Sequence, residues 1–330
     1  MLALSITPQS VSAAAACKDL GCGAGCPHAC PFGFPCSTAA DCLSGSCSGG
    51  YCDIGSPTKL GAVNKPAAPA AQPTTTGTSG SGTWGLPDFS AGSLAPLKIK
   101  KDSYGQNNRA IVSDPAGTGK KVLRIFYPAR SYNPSGSPRG GTGFYGVPVD
   151  ISKAKEATFQ FQIYFPAGFN FVKGGKLPGL YGGREGCSGG DPAKDCFSTR
   201  FMFRKSGSAE IYLYVQDKKQ DPGFCKVPPL SVCNGVYGNS IGRGAFTYTP
   251  GKWQTLMQRI VLNDPGKTNG RVQVWSNGKL VIDFNKVMWR DKPFGFVGID
   301  FETFFGGSDR SWATPTDQYV YFKGMSLSWA

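Results

Sequence analysis

The chain has 330 residues, 40% of them apolar, with 46 glycines and 25 prolines. This length allows one large or two modest domains, and the abundance of turn-forming residues favours an all-β protein over a largely helical one. The formal net charge is +14. Residues 1–83 hold three basic and three acidic side chains, so residues 84–330 carry the whole positive excess. Such a domain attracts polyanions, and nucleic acid, acidic polysaccharide and anionic membrane are the classes to consider.

Residues 1–16, "MLALSITPQSVSAAAA", resemble the remnant of a signal peptide. They have a short apolar start and a run of small residues, although the basic beginning of such peptides is missing. We therefore expect a secreted, extracellular protein. No later segment has the roughly 20 apolar residues that a membrane span needs, so no membrane partner is expected.

Residues 17–55 contain eight cysteines, at positions 17, 22, 26, 30, 36, 42, 47 and 52. An even number at close spacing predicts a disulfide-rich module in an oxidising compartment. Zinc is the alternative, but His28 is the only histidine in the chain and paired CxxC knuckles are missing. Such a module either binds a cell-wall carbohydrate or serves as a structural cap.

Residues 56–83 are rich in Pro, Ala, Thr, Ser and Gly and contain no aromatic residue, which is typical of a linker. From Trp84 the chain changes to short alternating runs bounded by Gly, Pro, Asn or Asp. Asn277-Gly278 within "VWSNGKLVI" predicts a β-hairpin. Residues 84–330 are therefore predicted to form one β-jelly roll, an antiparallel β-sandwich. No Gly-rich phosphate loop or βαβ alternation supports nucleotide chemistry.

Residues 197–216 predict two strands joined by a tight turn. Alternate residues form an apolar face that is expected in the core: Phe197, Phe201, Phe203, Ile211, Leu213 and Val215. If Arg204 and Ser208 close the turn, Arg200 lies opposite Tyr212 and Ser198 opposite Tyr214. Cross-strand partners lie about 4.5–5.5 Å apart at Cβ, so the sequence predicts a compact polar cluster on a concave or open face.

Lys176 lies within "KGGKLPGLYGG", between two pairs of glycines. Glycine allows sharp turns and close backbone approach, so we expect Lys176 to be held between two rigid turns. The same pattern is also typical of a plain structural corner.

Together, "GGKLPGLYGG", "CFSTRFMFR", "EIYLYV", "SIGRGAF" and "TFFGGSD" make residues 85–330 similar to polysaccharide lyase family 14. The resemblance implies a jelly-roll lyase that cleaves a polyuronate, either alginate or glucuronan, by β-elimination. The order and spacing of Lys176, Ser198, Arg200, Tyr212 and Tyr214 match the active-site set of that family. The cysteine module and the linker lie outside the resemblance.

The chemical properties of these residues, considered apart from the family resemblance, also suit β-elimination of a uronate. A uronate lyase must neutralise the sugar carboxylate, and Arg200 with two donors and Lys176 with a second charge can do so. A base must remove the C5 proton and an acid must protonate O4. Because this domain has no histidine, the base is expected to be a tyrosine or a lysine. The cations are expected to lower the pKa of Tyr212 and Tyr214, and Ser198 to orient a tyrosine or the carboxylate.

Three more arginines are predicted to bind substrate carboxylates: Arg243, Arg130 and Arg139. Solvent-exposed loop cations are the alternative. Local disulfides are expected between Cys187 and Cys196 and between Cys225 and Cys233. Neither a metal nor a cofactor is expected. We expect a monomer with an acidic polysaccharide as its partner and no nucleic acid, and the competing function is a non-catalytic protein that binds acidic glycans.

Overall fold

The computed structural model describes residues 80–234 and 236–330, together with the backbone of three short strands before them. The chain divides into two compact units, Met1–Pro66 and Ala67–Ala330. In the first unit, the described residues form an antiparallel pair of strands, β1 (Cys47–Ser48) and β2 (Tyr51–Cys52). The predicted signal peptide remnant and the rest of the cysteine-rich module lie outside the described residues.

The second unit is built from antiparallel strands. In chain order they are β3 (Thr74–Thr78), β4 (Ser81–Leu86), β5 (Ile99–Tyr104), β6 (Arg109–Ser113), β7 (Lys121–Tyr127), β8 (Thr142–Gly146), β9 (Glu156–Tyr164), β10 (Gly174–Gly182), β11 (Phe197–Arg204), β12 (Ser208–Tyr214), β13 (Asn239–Thr247), β14 (Trp253–Val261), β15 (Gly270–Ser276), β16 (Lys279–Val287), β17 (Phe296–Phe305) and β18 (Gln318–Trp329). Strand β3 and the start of β4 fall within the segment whose composition predicts a linker, so the boundary at residue 84 stays a prediction.

The strands form two sheets. The seven-stranded sheet has the order β13-β12-β11-β10-β17-β8-β5. The nine-stranded sheet has the order β16-β15-β14-β9-β18-β4-β3, and β7 joins it by pairing with β18 and with β6. The predicted antiparallel sandwich of the jelly-roll type is confirmed, and the five residues predicted to be catalytic lie on β10, β11 and β12 of the seven-stranded sheet.

The helical segments of the described residues are single 3-10 turns: Ala95–Leu97, Gln106–Asn108, Lys205–Gly207, Asp217–Lys219, Phe224–Lys226 and Arg310–Trp312. Among these residues, no helix has the length and apolar character required to cross a membrane.

The core lies between the two sheets and is rich in phenylalanine. Phe161 of β9 meets Phe201 of β11 edge to face, with ring centres 5.6 Å apart, and Phe301 of β17 meets Phe322 of β18 at 5.0 Å. Such aromatic pairs contribute about 0.5–1.5 kcal/mol beyond the area they bury. The predicted apolar face of residues 197–215 is confirmed, because all six of its side chains belong to this core.

The predicted hairpin at Asn277-Gly278 is also confirmed. It joins β15 to β16, and both turn residues have positive φ, 49° and 78°. That conformation matches the right-handed twist of the flanking strands, and Asn and Gly adopt it most readily.

Candidate active site

Strands β11 and β12 place the polar cluster. Arg200 pairs with Tyr212 and Ser198 pairs with Tyr214, so the register predicted from the sequence is confirmed. The turn between the strands contains Ser206 at φ 59° and Gly207 at φ 77°. Because side chains alternate along a strand, the pairing sends all four polar groups to the face of the sheet that is turned away from the core.

Lys176 lies in a strand, and the expectation of two rigid turns around it is wrong. Strand β10 runs through the glycine-rich segment at the centre of the sheet, between β11 and β17. Its register shifts between Lys176 and Gly179. Pro178 lies inside this bulge, where a residue without an N–H is tolerated. A Cβ at Gly179 would lie 2.1 Å from the carbonyl oxygen of Thr199, so glycine here permits close packing of strands.

All five predicted catalytic residues are largely buried, so the face is more covered than the concave or open face that the sequence predicts. Ser198 and Arg200 are 0% and 1% exposed, whereas Lys176, Tyr212 and Tyr214 retain 9%, 8% and 5%. The five predicted residues therefore form two layers. Lys176 and the tyrosines keep a small exposed area, while Arg200 and Ser198 are enclosed.

Arg200 is paired with two carboxylates that sequence reasoning missed. Its Nη1 donates to Glu302, and its Nε lies 3.5 Å from Oδ2 of Asp300. Burial by itself would lower the pKa of Arg200, but Asp300 and Glu302 raise it above the usual value. The guanidinium is thus a fixed positive charge. The Nε and Nη2 of Arg200 make no hydrogen bond among the described residues, but the side chain is only 1% exposed. The predicted two-donor contact with a sugar carboxylate would require the guanidinium to become accessible, and it stays a prediction.

Lys176 has no such partner. Its Nζ lies 3.8 Å from the centre of the Tyr212 ring and 3.2 Å from Sδ of Met202, and no ion pair involves it within the described residues. Burial, followed by the charges of Arg200 and Arg204, holds the pKa of Lys176 well below its usual value. Because no described carboxylate pairs with Lys176, the carboxylate of an incoming ligand would stabilise its ammonium form.

The two tyrosines differ in their surroundings. Burial raises the pKa of Tyr212 above its usual value, and the opposing effects of Arg204 and Arg200 are smaller. The prediction that nearby cations lower this pKa is wrong, because desolvation exceeds their attraction. The hydroxyl of Tyr214 accepts a hydrogen bond from the backbone N–H of Gly189 at 3.0 Å. The Cζ of Arg200 lies 5.4 Å from its ring centre.

The loop that holds Gly189 is fixed by a disulfide and by Ser198. Cys187 and Cys196 are bonded, with Cα atoms 5.8 Å apart. Ser198 Oγ donates to the carbonyl oxygen of Cys187 at 2.8 Å. Ser198 thus ties the disulfide-closed loop, whose Gly189 contacts Tyr214, to strand β11.

A second ion cluster borders Tyr212. Glu210, fully buried on β12, accepts from Arg204 at 2.5 Å and from the Nε of Arg243 at 2.8 Å. Ser240, which pairs with Tyr212 across the strands, donates to the same carboxylate at 2.6 Å. Burial would raise the pKa of Glu210, but Arg204, Ser240 and Arg243 bring it below the usual value. Arg243, predicted to bind substrate, is thus anchored beside the site.

Arg130 and Arg139 are exposed in the segment between β7 and β8. The backbone N–H of Arg130 donates to Thr314, and the carbonyl oxygen of Arg139 accepts from Asn108. No described side-chain contact joins either arginine to Lys176 or the tyrosines. Their role in substrate binding stays a prediction.

The missed carboxylates had a signal in the sequence. In "FVGIDFETFF" the residues Asp300 and Glu302 alternate with Ile299, Phe301 and Thr303. This is the same period-two pattern that located Arg200. The sequence did not show that β17 pairs with β10, which brings the two acids beneath Arg200.

One group in the described residues has donor atoms close enough for a metal ion, namely Cys187, Asp191 and Cys196. Both cysteine sulfurs are joined in the disulfide, so neither is a thiolate that could ligate a metal. Cys225 and Cys233 form a second disulfide, with Cα atoms 5.7 Å apart.

Comparison with known proteins places this geometry in a family. Residues 115–325 match the sequence profile described as Polysaccharide lyase 14. The marine alginate lyase from Aplysia kurodai is 33% identical, with 75% of this chain and 98% of that chain covered and a TM-score of 0.66. An alginate lyase from Chlorella virus shares the fold at 22% identity, with 74% and 98% covered and a TM-score of 0.62. No curated protein sequence matches the chain. The chain belongs to polysaccharide lyase family 14 and is a polysaccharide lyase.

Proposed function

We propose that this lyase cleaves an acidic polyuronate, alginate or β-1,4-glucuronan, by β-elimination. The observation that carries the proposal is the joint position of Lys176, Tyr212 and Tyr214 above the buried Arg200 on adjacent strands. The similar protein from Aplysia kurodai is described as an alginate lyase. The excess of basic residues in this unit also favours an acidic substrate.

Lys176 is proposed to pair with the sugar carboxylate next to the reacting carbon. Neutralising that carboxylate makes the C5 proton more acidic and stabilises the enolate-like transition state. Arg200 adds positive potential from below without touching the sugar, because Glu302 and Asp300 hold it in place.

The tyrosines are proposed to move the protons. Tyr214, as the phenolate, takes the C5 proton, since Arg200 and the Gly189 N–H both stabilise negative charge on its side chain. A C4–C5 double bond forms as the C4–O4 bond breaks. Tyr212, kept protonated by its raised pKa, donates its proton to the departing O4. Proton exchange with solvent returns both tyrosines to their starting forms.

A panel of pure glucuronan, polymannuronate and polyguluronate tests the proposal. The folded protein should produce the ultraviolet absorbance of an unsaturated uronate on at least one of them. The absence of product on every polymer across acidic to alkaline pH would overturn it. Tight binding without product would assign the chain the competing role of a non-catalytic protein that binds acidic glycans.

Secretion is proposed together with this function. The two disulfides, Cys187–Cys196 and Cys225–Cys233, suit an oxidising compartment. The cysteine-rich module of residues 17–55 is proposed to bind wall carbohydrate. Retention of that module alone on insoluble cell-wall polysaccharide would support its role, and its complete exclusion from the pellet would contradict it.

A further inference from the structure

A cavity of about 520 Å³ lies beside Tyr214 at the end of β12. This volume falls in the range of about 300–1,000 Å³ that is usual for pockets binding small ligands. Tyr214 contributes to its lining. The lining residues are 190–192, 194, 214–219, 236–238 and 291–292.

The cavity walls carry four lysines. Lys194, Lys218 and Lys292 are exposed and take part in no ion pair among the residues that the structure describes. Lys219 is paired with Asp291 at 2.7 Å. Three ammonium groups are therefore free to meet an anion.

The walls keep a positive excess, because four lysines face three carboxylates and Asp191 is already paired with Arg184, which lies outside the lining. Each carboxylate already accepts a short contact from a neighbour: Asp191 from Arg184 at 2.6 Å, Asp291 from Lys219 at 2.7 Å and Asp217 from the amide of Asn239 at 2.6 Å. The free hydrogen-bonding capacity of the walls is thus mainly that of the lysines.

An aromatic side chain completes the cavity. Tyr237 is 48% exposed and lies in the lining next to Val236, which is 67% exposed. An aromatic ring at a wet surface offers an apolar face and a polar hydroxyl. A sugar ring, with apolar C–H faces and polar edges, fits both.

The walls are held together before any ligand arrives. The side-chain amide of Gln220 bonds both to the carbonyl oxygen and to the N–H of Met288, at 2.8 and 3.0 Å. A Cβ at Gly190 would lie 2.7 Å from the carbonyl oxygen of Val236, so the disulfide-closed loop packs directly against the segment that carries Tyr237. Such preorganisation lowers the entropy cost of binding.

We propose that this cavity is a subsite for a further uronate of the same polysaccharide chain. The sugar ring lies against Tyr237, and its carboxylate lies among Lys194, Lys218 and Lys292. A chain held at Tyr214 continues directly into the cavity, which favours a polymeric acid over a free small anion. The inference rests on the proposed function and extends it to a preference for longer chains.

The test replaces two of the free lysines. Lys218→Gln with Lys292→Gln should raise the KM for the polymer by about tenfold while kcat changes little. The lost contacts bind the substrate and the transition state equally, so their loss affects KM alone. The matched control is Lys252→Gln with Lys279→Gln, which removes two exposed lysines outside the cavity lining. The control should leave KM unchanged, and disaccharides too short to reach the cavity should not distinguish the variants.

Equal KM changes in the two double variants would reduce the effect to general charge attraction and overturn the subsite. An unchanged KM in the cavity variant would overturn it as well. Binding measured by calorimetry in a Tyr212→Phe background separates this proposal from the catalytic one. Polyuronate binding that depends on Lys218 and Lys292 supports the subsite even if the wild type makes no product. If the wild type turns over substrate but binding does not depend on Lys218 and Lys292, the subsite is rejected and the catalytic proposal stands. If the protein binds no polyuronate at all, the subsite is also rejected.

Discussion

The side-chain nitrogen of Lys176 on β10 lies 3.8 Å from the ring centre of Tyr212 on β12, next to the bulge that shifts the register of β10 against β11. This contact joins the residue proposed to neutralise the substrate carboxylate to the residue proposed to donate the proton. Both side chains are nearly buried, and burial is the main cause of the lowered pKa of Lys176 and of the raised pKa of Tyr212.

Removing either phenol hydroxyl should stop turnover. Tyr214→Phe and Tyr212→Phe should each lower kcat by roughly 10²–10⁴-fold, the usual contribution of a general acid or base. Substrate binding, measured by calorimetry, should stay within about twofold because the ring remains. Tyr319→Phe on the nine-stranded sheet is the control. Retention of near-normal kcat in both site variants would exclude the tyrosine mechanism.

Lys176 should set the alkaline limb of the pH profile. Burial lowers its pKa, so the ammonium form needed to pair with the carboxylate is lost as the pH rises through that lowered value. The profile of kcat/KM reports the free enzyme. Lys176→Arg keeps the charge at every working pH, so any activity that remains should decline at higher pH than in the wild type. An alkaline limb at the same pH in both proteins contradicts the assignment.

Asp300 should make the fold less stable as the pH rises. Burial is the main cause that raises the pKa of Asp300 to about 8, and the attraction of the neighbouring Arg200 opposes this rise without cancelling it. The unfolded carboxyl ionises near about pH 4, so stability is fully present below that value and is lost as the pH rises through the folded pKa. Asp300→Asn cannot ionise and should flatten the fall in Tm between about pH 5 and 8. Parallel falls in the two proteins would count against this carboxyl as the source.

Ser198 should act on catalysis through the disulfide-closed loop. Ser198→Ala removes the hydrogen bond to Cys187 and should cost about 1 kcal/mol of stability. It should also lower kcat by roughly tenfold, equivalent to about 1.4 kcal/mol in the barrier, because Gly189 no longer holds Tyr214 firmly. The double variant Cys187→Ser with Cys196→Ser should reproduce the loss in kcat. A stability loss with unchanged kcat would leave Ser198 with a structural role only.

Much of the fold follows from local patterns. Period-two alternation predicts which residues of β11 and β12 face the core and which form the polar face. The turn residues Asn277 and Gly278 predict the hairpin between β15 and β16. The pairing of Arg200 with Tyr212 required only the position of the turn, because the register of a hairpin follows from its turn. Chain neighbours were sufficient for these features.

Contacts between distant segments could not be predicted in this way. The sequence predicts turns around Lys176, whereas Lys176 lies in β10, between β11 and β17. Gly179 in this strand permits the close approach of β11. The sequence predicts Arg200 as a cation free to bind substrate. In the fold, Asp300 and Glu302, which lie about a hundred residues later in the chain, contact its guanidinium.

The sequence by itself therefore determined the sandwich, the polar face and the set of residues that suits an acidic sugar. The tertiary structure decided their ionisation and their division into two layers. The physical reason is burial: desolvation by covering loops raises the pKa of Tyr212 and lowers that of Lys176, and the degree of covering depends on segments far apart in the chain.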